Sequence, residues 1–248
     1  MAADLRFAHL SEVDSTNEEA RRRALAGERG PIWIHADRQS AGRGRRGRAW
    51  SDAGGNLFST GLYTLDTGTE RAAQLSFAAA LAVGEVALAA GVDPALVTLK
   101  WPNDVLIGGA KCAGILLESG SLPDRRLWLA VGIGINLASH PEGTERPATD
   151  LSVHADTLSP EAAVQILAAR FQTWFERWRD HGFAPLRDAW LARVHGLGER
   201  CEVRLDQETL TGVFADLTPD GRLRLDLADG TRRYIAAGDV FFPMAGRS

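Results

Sequence analysis

The chain has 248 residues, is 45% hydrophobic and 24% charged, and carries a formal net charge of −4. This is the balance of a soluble globular protein of one large domain, or one domain plus a small module, without the basic field that would hold nucleic acid. Cys112 and Cys201 are the only cysteines and show no CxxC spacing, which argues against a disulfide framework and a zinc site and fits a reducing cytoplasm; no signal peptide is visible, and the longest uncharged apolar stretch, between Arg71 and Glu85, is too short to span a bilayer.

In chain order, Arg6 to Val13 reads as a strand that ends at Asp14-Ser15-Thr16-Asn17. Ser15, three residues before Glu18, has capping-box spacing, so a helix is predicted to start there. Pro31 to Asp37 reads as a strand, with Ile32 and Ile34 alternating against Trp33. A polar Gly/Arg-rich loop follows from Arg38 to Gly55, then a strand from Leu57 to Thr64. Residues 70–90 are alanine-rich and apolar nearly all round, the mark of a buried helix. Short apolar runs, Val97 to Trp101 and Val105 to Ile107, flank Pro102-Asn103-Asp104. Gly108-Gly109 marks a turn before a strand from Cys112 to Glu118, and a glycine-broken strand runs from Leu127 to Leu137. Residues 139–150 read as the one loose loop.

Ser159-Pro160-Glu161 starts a helix with proline in its first turn. Val164, Leu167, Phe171, Trp174, Phe175 and Trp178 form its apolar face. Beyond Gly198 the texture changes. Asp220-Gly221 and Asp229-Gly230 are hairpin signals, and between them Leu223, Leu225 and Leu227 alternate with charged residues. The expected organisation is an α/β domain over residues 1–197 and a small all-β barrel over residues 198–248.

Gly42-Arg43-Gly44-Arg45-Arg46-Gly47-Arg48 fits G-x-G-x-x-G. A dinucleotide turn requires a helix to open directly afterwards, and Ala49 to Gly55 is a poor helix. Taken alone the run reads as a solvated basic loop. A third reading is a flexible loop closing over a polyanion, because glycine lets backbone approach a ligand and arginine binds phosphate with paired donors. Trp50 offers a face for a flat base. Lys100-Trp101-Pro102-Asn103-Asp104 alone reads as a strand end and turn. The strand opened by Lys111 reads as carrying an exposed lysine. Glycines in Val131-Gly132-Ile133-Gly134-Ile135-Asn136 mark the close approach of a ligand or another backbone.

The order of these pieces resembles the biotin–protein ligase family: Asp-Ser-Thr-Asn, Gln39-Ser40-Ala41 with the glycine-arginine loop, Lys-Trp-Pro-Asn-Asp, Lys-Cys-Ala-Gly-Ile-Leu and Gly-Ile-Gly-Ile-Asn, from about residue 11 to 137. The resemblance implies an α+β catalytic domain with a mixed sheet and flanking helices, similar to class II aminoacyl-tRNA synthetases, and a C-terminal SH3-like barrel. It implies biotin contacts at Ser15, Thr16, Asn17, Gln39, Gly42, Arg43, Gly44, Arg45, Lys111, Gly114, Gly132 and Gly134. ATP contacts are implied at Arg45, Arg48, Trp50, Asn103, Asp104 and Asn136, with Lys111 and Arg45 as catalytic groups. Magnesium is implied without assigned ligands. The implied reaction forms biotinyl-5′-AMP and pyrophosphate from biotin and ATP, then acylates a lysine of a biotin carboxyl carrier protein. A homodimer is compatible with the resemblance; DNA and membrane are not expected partners. Cys112 stands where the family usually has a larger aliphatic residue, and is expected to pack as a small hydrophobe. Asp14-Ser15-Thr16-Asn17 begins so near the first residue that no N-terminal helix-turn-helix domain is expected. The alternatives are a lipoate or octanoate ligase of the same fold and a nucleic-acid-binding module using the arginine loop.

Overall fold

The computed structural model describes residues 5–50, 54–156 and 158–243; residues 51–53 of the predicted loop lie outside them. Seven strands form one sheet in the order β1-β2-β3-β7-β6-β5-β4. They are β1 (Arg6–Val13), β2 (Ile32–Gln39), β3 (Leu57–Leu65), β4 (Val97–Lys100), β5 (Asp104–Ile107), β6 (Ala110–Ser121) and β7 (Leu127–Ile135). β1 runs parallel to β2, and every other neighbouring pair is antiparallel. The α1 helix (Thr16–Leu25) is the crossover that a parallel pair requires.

Both faces of this sheet are covered, and β2 shows how. Ile32 and Ile34 join Ala20 and Ala24 of α1 in one cluster, while Trp33 points the other way into the main core. On that far side lie α3 (Leu75–Ala89), α4 (Pro160–His181) and α5 (Ala184–Leu191). The predicted helix over 70–90 divides at Gln74 into a short α2 (Thr69–Ala73) and α3. Residues Thr69–Ala89 are together long and apolar enough to cross a bilayer, and 67% of their most apolar 18-residue window is buried inside the protein. On α4 the predicted apolar face points inward, with Val164, Leu167, Phe171, Trp174 and Trp178 buried. The following eight-residue helix α5 carried no clear periodicity in the sequence.

A second, antiparallel sheet has the order β11-β10-β9-β8-β12. It contains β8 (Arg200–Arg204), β9 (Thr209–Leu217), β10 (Leu223–Leu227), β11 (Arg232–Ile235) and β12 (Asp239–Phe241). Both predicted hairpin turns form, with φ of 91° at Gly221 and 83° at Gly230, a conformation glycine adopts without steric cost. The first turn also joins the sheets: the Trp101 indole Nε1 donates to the Gly221 carbonyl at 3.3 Å.

Two expectations are corrected. Ser15 is the N-cap of α1, but its side chain makes no capping bond. Glu18 is drawn instead to Arg21 at 2.6 Å and Arg43 at 3.3 Å, because charged partners outcompete a neutral amide. The Thr16 amide is satisfied from outside the helix, by Gln39 Oε1 at 2.8 Å. Residues 139–150 are not a loose loop. The Lys111 amide donates to Pro147 O at 2.8 Å, the Thr149 amide donates to Lys111 O at 2.9 Å, and His140 bonds Asp150 at 2.6 Å. These bonds lay residues 147–149 alongside the start of β6, where Ala148 bridges Lys111.

Candidate active site

α1 covers only part of its sheet face. The uncovered part is the floor of a cavity of about 430 Å³, walled by the 42–50 loop, residues 141–148 and Asp239 of the second sheet. The floor is flat because Gly114 of β6 and Gly134 of β7 are register neighbours. The Trp50 indole lies on them: a Cβ at Gly134 would stand 2.4 Å from Trp50 Cε2, and one at Gly114 would stand 2.7 Å from Cζ3. All the site residues anticipated above line the cavity except Gly42. Gly42 shapes the loop instead, its carbonyl accepting from the Trp50 amide at 3.0 Å.

One end of the cavity is formed by buried, uncharged polar side chains, with an Arg43–Glu118 ion pair at its margin. Thr16, Asn17 and Thr60 are 4%, 4% and 0% exposed. Thr60 Oγ1 lies 2.7 Å from Asn17 Oδ1 and 2.8 Å from Thr16 Oγ1. The Asn17 amide donates to Glu118 at 2.7 Å and to the Leu116 carbonyl at 3.2 Å. Gly132 permits this arrangement, since a Cβ there would fall 2.2 Å from Asn17 Oδ1. Arg43 is held by Glu18 and Glu118, both at 3.3 Å.

The other end is cationic. Lys111 Nζ contacts Asp104 Oδ1 at 2.6 Å and sits 5.5 Å from the Trp50 ring centroid. Asp104 also faces Lys100 at 3.9 Å and Arg146 at 4.0 Å. The loop arginines converge on Asp239: Arg48 at 3.1 Å, Arg46 at 3.4 Å and Arg45 at 3.9 Å. Burial would raise the Asp239 carboxyl, yet these guanidiniums hold it below the usual carboxylate range. Arg45 also donates to Asn103 Oδ1 at 3.3 Å and Gly238 O at 3.2 Å. Asn103 in turn donates to Ile115 O at 2.7 Å, and Asn136 donates to Thr149 O at 3.0 Å, so both brace the walls. Burial lowers Arg146 to about 10, still protonated at neutral pH, and its Nη2 has no hydrogen-bond partner among the described residues. Its guanidinium stacks on Phe241 at 3.8 Å.

Sequence reasoning missed Thr60, Glu118, Arg146 and Asp239. The first had a signal, since Ser59-Thr60 interrupts an otherwise apolar strand. Asp239 had none, because its arginine partners lie more than 190 residues away in the chain.

Residues 11–136 match the biotin/lipoate A/B protein ligase family, and residues 196–242 match the biotin protein ligase C-terminal domain. A biotin–[acetyl-CoA-carboxylase] ligase of Paracoccus denitrificans is 43% identical over 94% of this chain and 99% of its own length. Among solved structures, a biotin protein ligase from Aquifex aeolicus in complex with biotin and ATP superposes with a TM-score of 0.78 at 28% identity, covering 95% of this chain and 97% of the other. A Leishmania major biotin protein ligase in complex with biotinyl-5-AMP gives 0.66 at 27% identity, over 94% and 99%.

Proposed function

The chain belongs to the biotin protein ligase family, and from that premise we propose how its pocket works. The enzyme activates biotin with ATP to biotinyl-5′-AMP and transfers the biotinyl group to a lysine of an acceptor protein. The observation that carries the reading is continuity: one cavity joins a neutral hydrogen-bonding end to a cationic end along β6. Biotin's uncharged ring system suits Ser15, Thr16, Asn17 and Gln39, where neutral donors and acceptors avoid burying a lone charge. Its carboxylate then points toward Lys111, and the triphosphate toward Arg45, Arg48 and Arg146.

In the first step a biotin carboxylate oxygen attacks the α-phosphorus, and the bond to the bridging oxygen breaks to release pyrophosphate. Two anions must approach, so prearranged cations supply most of the help. Lys111 is held by Asp104 and the loop arginines by Asp239, which keeps the cations aimed before substrate arrives. A magnesium ion brought with ATP would offset charge on the phosphates; Asp104 and Asp239 are the pocket carboxylates that would face it, and each already holds a cation of the chain. In the second step the acceptor amine attacks the acyl carbon, an amide forms, AMP leaves and the amine loses its proton to solvent. Between the steps the glycine-arginine loop shields the anhydride from water. The acceptor is a carrier domain of a biotin-dependent carboxylase, and the buried, free cysteines suit the cytoplasm.

Pyrophosphate exchange into ATP tests the reading. Exchange should depend on biotin. Faster exchange with lipoate or octanoate would overturn the assignment of the neutral end.

A further inference from the structure

Away from the pocket, three elements bring a second set of ionisable side chains together. His9 of β1 is the register neighbour of His35 of β2, and Asp37, two residues along, points to the same side of the pleat. That side also carries Trp33, whose ring meets Phe171 of α4. Glu161, in the first turn of α4, completes the group. His9, Asp37 and Glu161 each offer one ligand atom, and these atoms all lie within 4.8 Å of one another. The His9 Nε2 donates to Asp37 Oδ1 at 2.7 Å. The His35 ring stacks under His9 with centroids 4.8 Å apart and planes 22° apart. His35 is only 6% exposed.

We propose that His9, Asp37 and Glu161, with His35 behind them, form a site for a divalent transition-metal ion of the zinc class. Imidazole plus carboxylate is the donor set such ions prefer, whereas magnesium and calcium favour oxygen alone. Ligand atoms bound at about 2.0–2.2 Å sit roughly 3–4 Å apart around an ion, so the present spacing needs only a small contraction of exposed side chains. Two carboxylates balance the ion's charge and outweigh the roughly half positive charge at the N-terminus of α4. None of the four residues lines the pocket. Cysteine spacing could not have flagged a site that uses no cysteine. β1 has a strand neighbour on one side only, so the ion would pin this edge of the sheet to α4.

The test uses the full chain, stripped with chelator and titrated with zinc chloride by calorimetry, with thermal unfolding in parallel. The expected result is saturable one-to-one binding and a Tm that rises with zinc but not with magnesium. His9→Ala and Glu161→Gln, both at exposed positions, should each weaken binding about tenfold or more and leave ligase activity unchanged. Cys112 and Cys201, 2% and 1% exposed, are not competing ligands. No saturable one-to-one binding, or zinc affinity in both variants equal to that of the unaltered chain, would overturn the proposal.

Discussion

At one end of the pocket Thr16, Asn17 and Thr60 are hidden from solvent and joined by neutral hydrogen bonds. At the other, Lys111 and three loop arginines are partly exposed, from 19% for the Arg45 side chain to 57% for Arg48, and are held by two carboxylates. The neutral end is rigid because each member is fixed by a neighbour, so binding there requires little reorganisation. The cationic end resembles a site already filled, with Asp104 and Asp239 standing where phosphate or carboxylate oxygens would satisfy the same cations. A substrate must displace these internal counter-ions. The difference predicts that changes at the neutral end act on biotin alone, while changes at the cationic end act on adenylation and on retention of the intermediate.

Lys111→Ala should give the largest loss. A charge-assisted bond to carboxylate or phosphate contributes about 1.5–3 kcal/mol, roughly ten- to hundredfold in rate. Pyrophosphate exchange should fall by at least that lower bound with Tm nearly unchanged, since Lys111 is a partly exposed residue. Exchange at the unaltered rate would remove Lys111 from the reaction.

Gly132→Ala breaks the neutral end by space alone. The new Cβ falls 2.2 Å from Asn17 Oδ1, so Asn17 must leave its place between Thr60 and Glu118. Overpacking costs about 1–3 kcal/mol, and the KM for biotin should rise roughly five- to hundredfold. Gly134→Ala is the matched control, because its Cβ displaces Trp50 instead. Its effect should fall on ATP, and a rise in the biotin KM equal to that of Gly132→Ala would merge the two ends into one.

Arg45→Gly should leak rather than stop. The substitution removes the bonds to Asn103 and Gly238 and adds backbone freedom, so closing the loop costs more entropy. Biotinyl-adenylate should escape and acylate bystander lysines several-fold faster. Labelling of serum albumin no higher than with the unaltered enzyme, while adenylation is still measurable, would deny Arg45 the retention role.

What was legible in the sequence were features written locally. The hairpin glycines, the apolar face of α4 and the glycines of β6 and β7 each depend on neighbours in the chain. The order of the motifs added what no single motif carried, since the arginine loop alone reads as a solvated patch. The failures share a different cause. Glu18 deserted the capping box because Arg43, 25 residues on, competes for it. Residues 141–148 looked loose because their partners lie on β6 and, through Arg146, beneath Phe241 of the second sheet. Asp239 carries no local mark, and its role exists only once the two sheets meet.

Thr60→Val is the smallest change and the sharpest probe of the neutral end. Asn17 Oδ1 can only accept, so the Thr60 hydrogen must point to it. Thr16 must then donate to Thr60, while Gln39 Oε1 is served by the Thr16 backbone amide at 2.8 Å. Valine keeps the shape and removes this relay, leaving the buried Asn17 oxygen without its donor. An unsatisfied buried acceptor costs about 1–3 kcal/mol, but most of that loss is common to the free and bound enzyme. Stability should therefore carry it, as a fall in Tm of roughly 2–10 °C for a chain of this size. Only the looser placement of Asn17 appears in binding, worth about 1 kcal/mol or roughly fivefold in the KM for biotin. The KM for ATP should not move, because no cation at the far end bonds to Thr60. An equal rise in both constants would mean that the buried hydroxyl chain and the arginine loop answer to each other, and the division of the pocket into two independent ends would fail.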